Sequence, residues 1–478
     1  MKINVFFLFL FIASAAFSQT FVTTIRTELD EVAGKPLELD DGSFLVPMAR
    51  GTYDPIQPEL YDYQEYIFKV SPDGIVTDSA IIDIESAFTS GSLKLLHYND
   101  QVFFWSTIRD TTESGRPGGL RYGLLSDDLE VTQETILFSA DTGRTFHDCM
   151  VNIFNNLVFV GIEVDWSTQN QTNIIWEINP SEGIIRQGGL DDDMVYFREI
   201  IDLHAVQKYH ICGIARNCQF NYNLDFEGMI FIQPMEDTIF EYHASQLLTD
   251  STYARCAIGF EFPPSDFQDF GIGIFNDSGQ KQKTYTLGVP GTNDYAISLD
   301  CNHPDSLIVG GTLGGPLATM DKKFEVINFR PSSGEVNWQF YYGDSGAYEV
   351  SSVLTTRDGG CLIAGTWWDG LNYPYMERDV ILIKVNRQGQ LVDIEERFGS
   401  QFAMCHVYPN PGWNTLYVTC GLDAGEFELF DSFGQKVVSR TYIPEILIID
   451  TSGLPKGLFF YRIIFNDKNS CSGTWIKQ

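Results

Sequence analysis

Residues 357–393 read RDGGCLIAG, then TWWDGLNYPYMERD, then VILIKVNRQGQLVD. The order is turn, strand, loop, strand, tight turn, strand. Cys361–Ala364 and Val380–Ile383 are short apolar runs bounded by turn residues, the pattern of strands buried on both faces. Asp358-Gly359-Gly360 and Arg387-Gln388-Gly389 have tight-turn chemistry. This is an antiparallel meander, and one thin meander cannot hide both faces from water. Stacked copies can.

Copies run up the chain. The second strand recurs at Phe44, Val102, Val158, His210, Cys256, Leu307 and Cys361, at intervals of roughly 50 residues. Paired third and fourth strands are expected from Tyr66, Gly123, Ile174, Met229, Ile272, Val326 and Ile381. First strands are plainest at Phe197–Leu203, Tyr295–Leu299 and Tyr348–Thr355. Seven copies of an all-β unit predict a seven-bladed β-propeller over residues 19–398. Phe21–Arg26 is one strand too many, and adding it to the edge of the last blade would close the ring.

Composition agrees and excludes. Of 478 residues, 44% are apolar and 14% aromatic, with 36 Phe and 22 Tyr, a β-leaning mix. The formal net charge is −33, so nucleic acid is not an expected partner. Met1–Ser18 reads as a signal peptide: Lys2, an apolar core from Val5, and the small-x-small site Ala16-Phe17-Ser18. No later run is long enough for a membrane-spanning helix. Cys212, Cys256 and Cys361 fall in matching strands of different repeats, where sheet spacing of ~10 Å forbids a disulfide. A Cys420–Cys471 pair is a separate expectation.

After a linker at 399–406, residues 407–478 have short strands between Gly, Pro and Asn turns, the pattern of a small β-sandwich. Four motifs stand in order: Tyr408-Pro409-Asn410-Pro411; LFDSFGQKV from Leu429, with Gly434; DTSGLPKGLF from Asp450, with Gly453, Leu454 and Gly457; and Lys477. In these the segment resembles the type A sorting domain of the bacterial type IX secretion system. Gln478 after Lys477 is a small departure. The resemblance implies an immunoglobulin-like sandwich read by an outer-membrane translocon. It also implies release or cell-surface attachment of the cargo. The preceding region is similar to β-propeller repeats of exported proteins, with Asp358–Gly365 and Ile381–Gly389 the clean copy.

For a binding site the expectation falls on the loops between second and third strands, which alternation gathers on one face. They are assigned Tyr53, Tyr61, Tyr63, Trp166, Tyr222, Phe226, Phe262, Phe267, Trp367, Trp368, Asp369, Tyr373 and Tyr375. Aromatic faces beside carboxylates suit a glycan or protein ligand; packing between blades is the other reading. Asn221, Asn223, Asp225 and Glu227 place oxygens at alternate positions, as calcium loops do. Phe226 stands where such a loop wants Gly, and a solvated loop is the alternative. No other cofactor is expected. No HExxH, GxSxG, Walker or dinucleotide fingerprint is present. His147-Asp148 is set aside as a proton-transfer pair, because strand neighbours point to opposite faces. The expected function is an exported binding module. A propeller-fold hydrolase or lyase acting on glycans and a structural surface component are the alternatives.

Overall fold

The computed structural model describes all residues except 1–18, 27–28, 52–63, 83–87, 91–92, 111–116, 140, 191–196, 214–215, 225, 232–237, 262–267, 289–292, 315–321, 344–345, 370–377, 392–404, 409–412, 421–424, 432–433, 443–445, 466–469 and 478. The expected leader, most of the linker and most of the long-loop aromatics lie outside the described residues. The chain separates into two compact units, Met1–Gln390 and Leu391–Gln478. No described helix is long and apolar enough to cross a membrane.

Unit one is a β-propeller. Among the described residues it contains seven antiparallel sheets, numbered here in chain order, each in contact with the next. The innermost strands are Asp30–Ala33 with Leu37–Glu38, Phe88–Ser90 with Lys94–Tyr98, Thr142–Val151, Phe197–Leu203, Thr238–Thr249, Asp294–His303 and Ala347–Thr355. Second strands are Phe44–Gly51, Gln101–Asp110, Leu157–Asp165, Lys208–Gly213, Thr252–Glu261, Ser306–Leu313 and Cys361–Trp368. Every second strand found by repeat spacing is in place.

The apolar cores lie between neighbouring sheets, as stacking requires. Phe103, Trp105, Phe159 and Trp176 join sheets two and three; Val160, Ile211 and Phe220 join three and four. The cysteines Cys212, Cys256 and Cys361 are buried and free. In the deciding stretch, Asp358 organises the turn. Its Oδ1 accepts from Thr356 Oγ1 at 2.6 Å and from Gly360 N–H at 3.0 Å. Its Oδ2 meets the buried Lys384 ammonium at 2.8 Å, tying the turn to the third strand.

Two expectations need correction. In sheet four the third and fourth strands are Arg216–Asn221 and Phe226–Phe231; Thr238–Thr249, read as its fourth strand, is the innermost strand of sheet five. The polar run Arg216-Asn217-Cys218-Gln219 concealed a strand that is nonetheless paired on both edges. In sheet seven the outer position assigned to 391–394 is taken by Phe21–Ile25, which pairs with Asp379–Val385. The extra N-terminal strand therefore closes the ring. Arg378 adds a bidentate ion pair to buried Asp30, at 2.8 and 2.6 Å, joining sheet seven to sheet one.

Unit two has a three-stranded sheet (Cys405–Tyr408, Thr415–Cys420, Ile446–Asp450) and a four-stranded one (Lys436–Tyr442, Gly425–Phe430, Gly457–Phe465, Ser470–Lys477). Leu416, Val418, Phe427, Leu429, Ile449, Phe459, Ile463 and Trp475 form its core. The side chains of Cys420 and Cys471 lie outside the described residues.

Candidate functional site

The innermost strands share one irregularity. Each carries an extra residue opposite its second strand. In sheets three to seven this is a β-bulge at Phe146-His147-Asp148, Phe197-Arg198-Glu199, Tyr242-His243-Ala244, Ala296-Ile297-Ser298 and Val350-Ser351-Ser352. In sheets one and two the same extra residue splits the strand. A bulge breaks the alternation of side chains and re-aims them. In sheets three, four, six and seven the residue opposite the bulge is glycine, while sheet five has Ala257 there. A Cβ on Gly161 or Gly365 would come within 2.2 or 2.3 Å of the carbonyl oxygen of Thr145 or Glu349.

The residue after the bulge is Ala244, Ser298 or Ser352 in sheets five to seven, but Asp148 and Glu199 in sheets three and four. These two, with His147, Arg198 and Lys94 from sheet two, line a cavity of about 200 Å³. His147 and Asp148 therefore share one cavity, which corrects the expectation that they face apart; the bulge is the reason.

Lys94 Nζ donates to the His147 carbonyl and lies 5.0 Å above the centre of the Trp105 ring. Asp148 Oδ2 accepts from Ile200 N–H at 3.1 Å, binding sheet three to sheet four. Burial and the neighbouring Asp148 charge push the Glu199 carboxyl up to about 7. Burial raises Asp148 as well, against the pull of Lys94. Burial and the charges of Arg198 and Lys94 hold the His147 imidazole down to about 4, so it is neutral at pH 7. The cavity thus has fixed cations, an acceptor carboxylate, a carboxyl that exchanges its proton near neutrality, and a neutral imidazole. That set can bind polar groups and can move a proton.

Among the described residues, Trp367, Trp368 and Asp369 follow one another at the end of a second strand, and Tyr222 stands apart from them. Trp166 is half-buried in the Asp165–Asn170 turn of sheet three, its backbone N–H donating to the Asp141 carbonyl at 3.2 Å. The Arg26 guanidinium lies 5.1 Å from the half-buried Trp367 ring centre. Trp368 is buried under the Lys322 ammonium, at 5.3 Å, and Asp369 is exposed. Tyr373 lies outside the described residues. Tyr222 is a correction: it sits on the third-to-fourth turn of sheet four, at the opposite end of the strands from Trp166 and Trp367. It is buried, and its hydroxyl donates to Asp202 at 2.6 Å. Phe226 moves with it, for the same strand reassignment.

Of the calcium-like set, Asn221 ends the third strand and Asn223 is exposed in the turn; Asp225 and the Glu227 side chain lie outside the described residues. Among the described residues no group of three or more His, Cys, Asp or Glu is placed to hold a metal ion.

In unit two, Gly434 turns one hairpin, and Gly453 and Leu454 lie in a turn closed by Leu454 N–H to the Thr451 carbonyl at 3.0 Å. Lys477 is buried; its ammonium donates to the carbonyls of Thr451 and Leu454. Gly457 opens the strand that pairs with Lys477. Tyr408 ends the first strand, and 409–411 lie outside the described residues. Residues 406–478 match the family described as the secretion system C-terminal sorting domain. This segment is a type IX sorting domain. The sorting domain marks the chain as an exported protein that engages the type IX machinery; such tails in general bring cargo to the cell surface.

No curated protein matches the chain. Among solved structures it is similar to a fungal alcohol oxidase of the AA5 family in complex with copper, at 10% identity over 96% of this chain and 99% of that one, TM-score 0.47. It is similar to the WD40 domain of Pan2 from Neurospora crassa, at 10% identity over 74% and 88%, TM-score 0.42. A protein of unknown function from Dyadobacter fermentans is similar at 9% identity over 76% and 98%, TM-score 0.44.

Proposed function

We propose that the chain is an exported recognition protein: the propeller holds a small polar ligand in the Lys94–Glu199 cavity, and the sorting domain delivers it to the outer surface. One observation carries the reading. At a repeat-equivalent level where sheets five to seven place Ala or Ser, sheets three and four place carboxylates, with a lysine beside them. The fold does not need that charge, because the small residues occupy the same bulge.

The test is a thermal-shift screen of the full chain against small polar compounds. Stabilising hits should disappear in Arg198→Met and persist in Trp166→Ala. Hits that depend on Trp166 and ignore Arg198 would move the site to the loop face. For delivery, a chain ending at Met404 is expected to stay in the periplasm; its appearance outside the cell at normal yield would remove the tail's role.

Catalysis on a glycan is a second reading, favoured by Glu199 keeping a proton near neutrality beside Asp148. Polysaccharide turnover by the full chain that is abolished in Glu199→Gln would select it over binding alone.

A further inference from the structure

We propose that the cavity takes a neutral, hydroxyl-rich molecule the size of one sugar ring, held between the Arg198 guanidinium and the Asp148 and Glu199 carboxyls; this rests on the reading of the cavity as a ligand site. A free anion would face two carboxyl groups on a chain of formal charge −33. A free cation would face Lys94 and Arg198. An apolar ligand finds no apolar side chain among the five that line the wall.

A hydroxyl group is both donor and acceptor, so a molecule with several of them satisfies a wall where donors and acceptors alternate. Arg198 offers a planar fork of N–H groups that spans two neighbouring hydroxyl oxygens. Asp148 and Glu199 accept the hydroxyl protons. Asp148 Oδ2 takes the Ile200 N–H, which fixes the carboxyl at the cavity wall. His147 Nε2 is buried without a hydrogen-bond partner, and such a group gains most from a ligand that supplies one. Lys94 is already committed to the His147 carbonyl and the Trp105 face, so Arg198 is the principal cation offered to the ligand. Pockets for drug-sized ligands run from about 300 to 1,000 Å³; at about 200 Å³ this one holds a single small ring.

Ligand-observed saturation-transfer NMR on the full chain at pH 7 tests this. The neutral probes are D-glucose, D-galactose, D-mannose and D-xylose. D-glucuronate, D-glucosamine and L-alanine represent anionic, cationic and zwitterionic ligands. At least one neutral sugar should bind, at least tenfold tighter than the charged probes. Arg198→Met and Asp148→Asn should each weaken it about tenfold, and Ser352→Ala, at the equivalent level of sheet seven, should not. Circular dichroism melts establish that the variants are folded. Arg198-dependent binding of only a charged or zwitterionic probe would overturn the ligand class and leave the cavity as a site. Neutral-sugar binding indifferent to both variants would overturn the inference and move the site. Absence of Arg198-dependent binding by any probe would overturn both the inference and the cavity reading.

Discussion

Sheet seven and sheets three and four are built on the same bulge and use it differently. In sheet seven Val353 N–H donates to Ser298 Oγ of sheet six at 3.1 Å. At the equivalent place in sheet four, Ile200 N–H donates to Asp148 Oδ2 of sheet three, also at 3.1 Å. A hydroxyl and a carboxylate do the same structural work. The hydrogen bond between blades therefore explains an oxygen at this level but not a charge. What the comparison teaches is where to look in a repeat protein: the fold accounts for what the copies share, and a costly departure at a shared position needs another cause.

The largest expected effect concerns the bulge glycines of sheets three and seven. Gly161→Ala and Gly365→Ala each put a methyl group against a backbone carbonyl oxygen, at 2.2 and 2.3 Å. Both variants should lose about 1–3 kcal/mol of stability, the range of overpacked core sites. Urea unfolding midpoints measure it. A tolerated alanine at one glycine only would show that the two bulges are not equivalent, and the comparison would fail at its base.

Much of this architecture was legible in the sequence. The turn chemistry of Asp358-Gly359-Gly360 and the apolar runs at regular spacing located every second strand, because burial on both faces leaves a strong, local signal. Third strands with the same apolar character were legible too. Arg216–Asn221 was not, since its polar residues hide a strand that pairing alone reveals. That single miss displaced Tyr222 and Phe226 to the wrong end of the propeller. The cavity was illegible for a different reason. His147-Asp148 and Arg198-Glu199 are ordinary dipeptides until the bulge sets their register, and a rule of strict alternation sends one of each pair away from the channel. Once the bulges are superposed, two carboxylates in a column of Ala and Ser stand out. In the sorting domain the family was read correctly from sequence, yet not that the Lys477 ammonium is buried against carbonyls.

The second prediction sharpens the difference between the blades. Glu199 is pushed up to about 7 in the folded chain, against an ordinary value near 4.5. The folded state therefore binds more protons than the unfolded state between those pH values, and stability falls as pH rises through them. His147, held down to about 4, has the opposite slope between about 4 and 6.5. Glu199→Gln removes only the first contribution. Its gain over the wild-type chain should be absent near pH 4 and grow to about 2 kcal/mol by pH 8, allowing for solvent at the channel wall. Paired denaturant titrations across that range measure it. An equal gain at pH 4 and pH 8 would mean that the carboxyl is not the titrating group.

The smallest effect comes from the reverse exchange. Ser298→Asp places a carboxylate in sheet six at the level of Asp148, where it can still accept from Val353 N–H. What it lacks is Lys94, which belongs to sheet two and lies beside the original pair. Lys35 is a cation whose charge acts weakly on both Asp148 and Cys301. With a weaker partner and the same kind of burial, the new carboxyl should titrate above its ordinary range. Stability should therefore fall with rising pH, by about 1 kcal/mol between pH 4 and pH 8 relative to Ser298→Asn. A flat difference between the two variants would show that the channel solvates a carboxylate without help. The charges of sheets three and four would then cost the fold nothing, and their concentration in two neighbouring blades would no longer need a ligand to explain it.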